Sequence, residues 1–266
     1  MNGTIGSFSE IAAFAHEVAQ DAGSQALQWF RRPIDVSVKA DESPVTEADR
    51  QVEEAIRARI AGRFPEHSIF GEEYGIKGSF DAPTWVIDPI DGTRSFISGS
   101  PLWGTLIALS DNQSSQLGVI EMPALKESWT AAAAAGSWFN ASDGTRAPCR
   151  TSDRSKLSEA IFYTTSPFYF SDDEREPILE ISQSTAMCRF GGDCYNYGLL
   201  ASGHVDLVIE SKLEPYDFMA LVPVIEEAGG VITDWEGKRL TLASGKRVIA
   251  ASNAALHEEA LLLLSR

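Results

Sequence analysis

Long hydrophobic runs, basic clusters and pairable cysteines are what this chain has little of. No apolar stretch approaches the roughly 20 residues needed to span a bilayer, so no membrane segment is expected. The N-terminal MNGTIGSFSEIAAFAHE has no basic stretch ahead of an apolar block, and no signal or transit peptide is expected from it. Three cysteines, Cys149, Cys188 and Cys194, have no metal-ligand spacing and cannot all pair, which suits a reducing compartment and sets the expectation of a cytoplasmic protein. His16, His67, His204 and His257 are dispersed without zinc-type spacing. No Gly-rich nucleotide fingerprint follows a strand, and no cysteine has the triad surroundings of a nucleophile. Cations are scarce: 22 Lys and Arg against 38 Asp and Glu give a net charge of -16. Nucleic acid and anionic membranes reward clustered Lys and Arg, so neither is an expected partner. A small anionic substrate would need local cations, which metal ions held by the surplus carboxylates can supply.

What is present is an ordinary globular composition, 44% apolar with 21 glycines and 12 prolines, in 266 residues that fit one large domain or two packed ones. A first helix is expected over 8–30, where Ser7 and Glu10 form a capping-box pair and Ile11, Phe14, Val18 and Leu27 recur at roughly helical spacing. A second follows Thr46, with Asp49 as a further cap and Val52, Ile56, Ile60 and Phe64 as one stripe. Apolar runs at 68–71, 85–88, 103–110, 116–122 and 127–135, separated by turn residues, predict a largely antiparallel sheet. Beyond about 145, strands and helices alternate: AIFYTTS, a helix near 173–183, MCRF, a helix from about 194, VDLVIE, a helix over 216–228 stopped by Gly229 and Gly230, VIT, RVIAAS and a last helix from Ala254. The expected class is therefore α/β, an α+β metal-binding half over 1–145 and an α/β substrate half over 146–266.

Within WVIDPIDGTRSF a buried strand ends in Asp88, Pro89 keeps the chain extended as far as Asp91, and Gly92 permits close backbone approach before a helix begins at TRSFI. Two aspartates with an intervening carbonyl, that of Ile90, suit Mg²⁺, a hard ion that takes oxygen ligands. Amides around Gly92 and Thr93 offer an anion cradle. Such a DxxDG also fits an Asx-turn. Further acids stand at Glu72 and Glu73 after the HSIFG strand, at Asp49, and at Asp217 in the first turn of a helix, where helix capping or dipole stabilisation is the simpler account of the last two.

KADESPVTEAD, GEEYG, WVIDPIDGTRSF and PYDFMALVPVIEEAGG stand in the order and approximate spacing of the inositol monophosphatase family of Mg²⁺-dependent phosphatases, which the chain resembles from about residue 8 to its end. The resemblance implies a layered α-β-α-β-α sandwich of the kind shared with fructose bisphosphatases, a homodimer, and two or three Mg²⁺ ions. It implies Glu72, Asp88, the Ile90 carbonyl, Asp91 and Asp217 as metal ligands, Asp49 as support for a further metal or its waters, and Thr93 as a positioner of the attacking water. Glu72 would take that water's proton.

Many inositol phosphatases carry Thr and Asn after DGT, whereas Arg94 and Ser95 stand here. DGTRSFISG, WGTLIALS, TTSP, RFGGDCYNYGLLASGHVDLVIE and YDFMALVPV are similar to the histidinol-phosphate phosphatases of the family, which implies a role in histidine biosynthesis. That substrate carries an amine and an imidazole besides its phosphate. Asp193 and Glu210 are candidates to receive them, and Arg189 to hold phosphate or a carboxylate across a dimer, although strand ends, helix caps and surface ion pairs also explain these residues. Inositol monophosphate and a 3'-phosphorylated nucleotide are the alternative substrates. A non-catalytic metal- or phosphate-binding regulator is the alternative of another kind, against which the retained Glu72 and Thr93 speak.

Overall fold

The computed structural model describes residues 8–38 and 44–265. Ser7, the expected capping partner of Glu10, and residues 39–43 lie outside the described residues. The first helix runs over Phe8–Ala26, its turns relaxing beyond that point rather than persisting to residue 30. The second, Glu47–Arg63, starts on the expected Thr46–Asp49 capping box. Both helices lay an apolar stripe on one face of an eight-stranded sheet: Ile11, Ala15 and Val18 of the first and Val52, Ile56 and Ile60 of the second share a core with Trp85 and Ile87.

That sheet runs in the order Arg146–Pro148, Gly136–Asn140, Glu127–Ala132, Ser114–Met122, Gly104–Asp111, Thr84–Asp91, Ser68–Gly71, Gly75–Lys77. Every neighbouring pair is antiparallel except Ser68–Gly71 with Thr84–Asp91. Its last two strands in the chain went unread in the sequence, so the sheet continues three residues past the expected division at 145. A second sheet orders Met187–Phe190, Ile161–Thr164, Leu207–Glu210, Val248–Ala251 and Val231–Thr233, the first three mutually parallel and the others antiparallel.

Between the sheets lie the helices Tyr195–Ala201, Pro215–Phe218 and Leu221–Glu226. The last two replace the single helix expected over 216–228, the chain turning at Met219 and Ala220. Leu200, Phe218 and Val224 pack in one core with Val86, Leu106 and Ile120 of the first sheet and Val208 and Ala250 of the second. The outer face of the second sheet is closed by helices Asp172–Ser184 and Ala254–Leu264, through Ile178, Ile181, Leu256 and Ala260 on Phe162, Ile209 and Ile249. The layers are thus α-β-α-β-α, as the resemblance implied.

Strand alternation decides where the acids go. Side chains on Thr84–Asp91 alternate, Trp85 and Ile87 towards the outer helices and Val86 towards the central layer. Asp88 follows Val86 into the space between the sheets.

Candidate active site

Three residues apart, Asp88 and Asp91 would face opposite sides of a regular strand. The register prevents this: Asp88 pairs with Leu106 but Asp91 with Gly104, so one extra residue is inserted between them. The strand therefore does not end at Asp88 but continues through a bulge at Pro89, and both carboxylates come to the same side. Pro89 gives no amide to the ladder there, and its carbonyl accepts from Thr105 Oγ1 at 2.8 Å.

At Gly92 the backbone turns left-handed, φ 79°, and starts the short helix Thr93–Ser98. A Cβ there would also stand 3.0 Å from Asp193 Oδ2, so glycine answers both a torsional and a steric demand. Thr93 Oγ1 donates to the Ile90 carbonyl at 3.2 Å, which fixes the hydroxyl over the bulge.

Asp217 arrives from the central layer. Its Oδ2 accepts the Glu214 amide at 2.7 Å, capping its own helix. Carboxylate oxygens of Asp88, Asp91 and Asp217 all lie within 4.8 Å of one another. Asp91 also ties its strand to the central layer, its Oδ2 accepting the Cys194 amide at 2.8 Å, at the start of the helix Tyr195–Ala201. Burial, and then the charges of Glu72, Asp91 and Asp217, hold Asp88 well above the usual carboxylate range. Burial followed by Glu72 and Asp91 does the same to Asp217, and burial raises Asp91. Glu72 joins them by a hydrogen bond to Asp88. Acids repelling one another in a desolvated space are stabilised by a cation or by protons, and hard oxygen donors at this spacing fit a divalent ion.

Asp193 lies beside this cluster, and its charge acts on Glu210. Asp193 is held left-handed, φ 46°, with Ser95 Oγ donating to its Oδ2 at 3.1 Å. Glu210 ends its strand 2% exposed, accepting from Thr165 N at 2.7 Å, Thr165 Oγ1 at 2.8 Å and Thr164 Oγ1 at 3.3 Å. Burial, then the charge of Asp91, pushes Asp193 up to about 7. Burial pushes Glu210 up to about 8 against the bonds from Thr165. Tyr169 faces these acids, with the Arg94 guanidinium 6.0 Å from its ring centroid.

Asp49 stands apart. Its Oδ2 takes the Thr46 amide and hydroxyl, its buried Oδ1 has no hydrogen-bond partner among the described residues, and burial raises it to about 6 with Glu73 as the neighbouring acid. Arg189 is exposed on the edge strand Met187–Phe190 and pairs with none of the acids among the described residues. Sequence reasoning missed Ser95 as a partner of Asp193, the Cys194 amide, Thr165, Arg94 and Tyr169. The signal for Ser95 was its place in DGTRS, read only as a departure from a motif. Nothing local announces a backbone amide arriving from about a hundred residues away.

A five-layer sandwich with acids converging between its sheets is the architecture of metal-dependent phosphatases. The chain belongs to the inositol monophosphatase family, whose profile matches residues 7–265. It is 44% identical over 259 residues to the chloroplastic bifunctional phosphatase IMPL2 of Arabidopsis thaliana, covering 94% of this chain and 73% of that one. It is 38% identical over 242 residues to the histidinol-phosphatase of Chlorobaculum parvum, covering 90% and 91%. Among solved structures, an inositol monophosphatase from Zymomonas mobilis is 40% identical and superposes with a TM-score of 0.87 over 98% of this chain and 99% of that one.

Proposed function

We propose that this phosphatase hydrolyses histidinol phosphate to histidinol and phosphate, using Mg²⁺. The observation that supports the substrate is the acidic pair of half-buried Asp193 and buried Glu210 next to the Asp88–Asp91–Asp217 cluster, an arrangement suited to a substrate with phosphate at one end and an ammonium at the other. The similarity to a histidinol-phosphatase agrees with it.

Asp88, Asp91 and Asp217, with Glu72 and the Ile90 carbonyl, would hold two or three ions. Bound there, divalent cations supply positive charge to phosphoryl and leaving oxygens and acidify a water. Glu72 would orient the attacking water and accept its proton, and Thr93, anchored on the Ile90 carbonyl, would help position the same water. Amides of Gly92 and Thr93 bind phosphoryl oxygens, while Asp193 and Glu210 receive the amine or imidazole. Water oxygen bonds to phosphorus as the ester P–O bond breaks, and the departing oxygen takes a proton. The half up to about residue 145 supplies most of the metal ligands, and the second half supplies Asp217 and the acids for the amine. A homodimer and a cytoplasmic setting belong to the same reading. The first rests on the family alone, and the second on three unpaired cysteines.

The second reading is an inositol monophosphatase, favoured by the Zymomonas mobilis structure. Values of kcat/KM for histidinol phosphate, inositol monophosphate and p-nitrophenyl phosphate separate the two. Preference for histidinol phosphate is expected, and preference for inositol monophosphate overturns the assignment.

A further inference from the structure

We infer that Glu53 is a positioning residue, which fixes the turn carrying Glu72 against the strand carrying Asp88. The inference rests on the phosphatase reading above and adds to it a residue outside the reacting groups. Glu53 lies on the second helix and is fully buried. Its Oε2 accepts the Glu73 amide at 2.7 Å and its Oε1 the Tyr74 amide at 3.2 Å, so one carboxylate holds the two residues that follow Glu72. On the other side of Glu72, its own amide donates to the Ile87 carbonyl at 3.2 Å, one residue before Asp88. The Glu72 backbone is therefore held from both directions, and its side chain is left to meet Asp88.

The clamp is built to last. Arg57, one helical turn on, donates from Nε to Glu53 Oε1 at 2.7 Å and reaches the Gly75 carbonyl with Nη2, so it balances the buried charge and closes the far end of the turn. Gly71 lies so close that a Cβ there would overlap Glu53 Oε1. The carboxylate thus occupies space that glycine alone leaves open, in a strand where any other residue would displace it. A buried ion pair of this kind is weak evidence for stability as such, because desolvation offsets its attraction. Its geometry, with both oxygens spent on amides of one turn, is that of a support behind a reacting group.

The test is Glu53→Gln, whose amide keeps one acceptor and presents a donor where an oxygen stood. Supports of this sort change metal affinity or activity by about 10–100-fold when lost. The expected result is kcat lower by about that factor with KM for p-nitrophenyl phosphate little changed, weaker Mg²⁺ binding by calorimetry, and faster hydrogen exchange at the Glu73 and Tyr74 amides. Should Glu53→Gln fail to fold, Arg57→Gln replaces it, with the same losses expected to a smaller degree. An active wild type whose variant shows loosened amides but unchanged kcat and Mg²⁺ affinity overturns the inference alone. A wild type without phosphatase activity overturns it together with the reading on which it rests.

Discussion

Asp88 carries a carboxylate at 2% exposure towards three other acids, an arrangement that costs stability until a cation arrives. Asp88→Asn or Asp91→Asn removes one repelling charge along with one ligand. Phosphate release should fall to background while the metal-free melting temperature stays level or rises. A variant that unfolds, or one that keeps wild-type turnover, contradicts the metal-holding role. Glu210 and Asp193 make a different prediction at the same scale. Glu210→Gln should raise KM for histidinol phosphate by about tenfold to a hundredfold, the equivalent of the one charge-assisted hydrogen bond formed when the bound ammonium draws Glu210 back to its carboxylate. It should spare p-nitrophenyl phosphate, which has no amine. Uniform losses on both substrates would move Glu210 into the metal network.

At the scale of elements, the bulge at Pro89 and the left-handed turn at Gly92 aim the aspartates and start the helix Thr93–Ser98. Gly92→Ala should destabilise the fold by about 1–2 kcal/mol, from its positive φ together with the approach of Asp193. For a chain of this size that lowers the melting temperature by roughly 2–8 °C, and kcat should fall with it. Unchanged melting would mean that the turn tolerates a side chain. Much of this element was readable in advance. DPIDG showed an extended segment followed by a glycine turn and a helix start, and Thr46–Asp49 showed its capping box. The bulge was not readable, because register is a property of two strands, and nothing in WVID says that Asp91 will pair with Gly104. The small strands Gly136–Asn140 and Arg146–Pro148 were missed for a related reason, since their ladder bonds to earlier strands define them more than any apolar alternation. The break at Met219 and Ala220 was hidden because both residues continue the apolar helical pattern.

Across the whole molecule, many acids sit in the interior with raised pKa values, and stability should depend on pH and metal accordingly. Glu121 and Glu210, each pushed by burial to about 8 from an ordinary value of 4.5, keep their protons longer when folded than when unfolded. Their contribution is fully present below about 4.5, declines as pH rises from there, and is lost once pH has passed about 8. The metal-free protein should therefore melt at lower temperature as pH goes from about 7 to about 8, the part of that window above the range where His16, His67 and His257, all lowered by burial, would titrate. Glu121→Gln, away from the aspartate cluster, should flatten that slope. A slope unchanged in the variant would show that Glu121 titrates normally. The layer order itself could be anticipated from motifs spread along the chain, whereas the meeting of Asp193 with Ser95 and of Asp91 with Cys194 depends on how the layers pack.

The central claim, that Asp88, Asp91 and Asp217 gather a divalent cation for phosphate ester hydrolysis, is tested most directly by titrating Mg²⁺ into metal-stripped wild type and Asp88→Asn while following phosphate release from histidinol phosphate on the same samples. Saturable Mg²⁺ binding that restores turnover is expected in the wild type, and neither binding nor turnover of that order in Asp88→Asn. Turnover that persists in EDTA, or Mg²⁺ binding unaffected by the loss of Asp88, would contradict the claim.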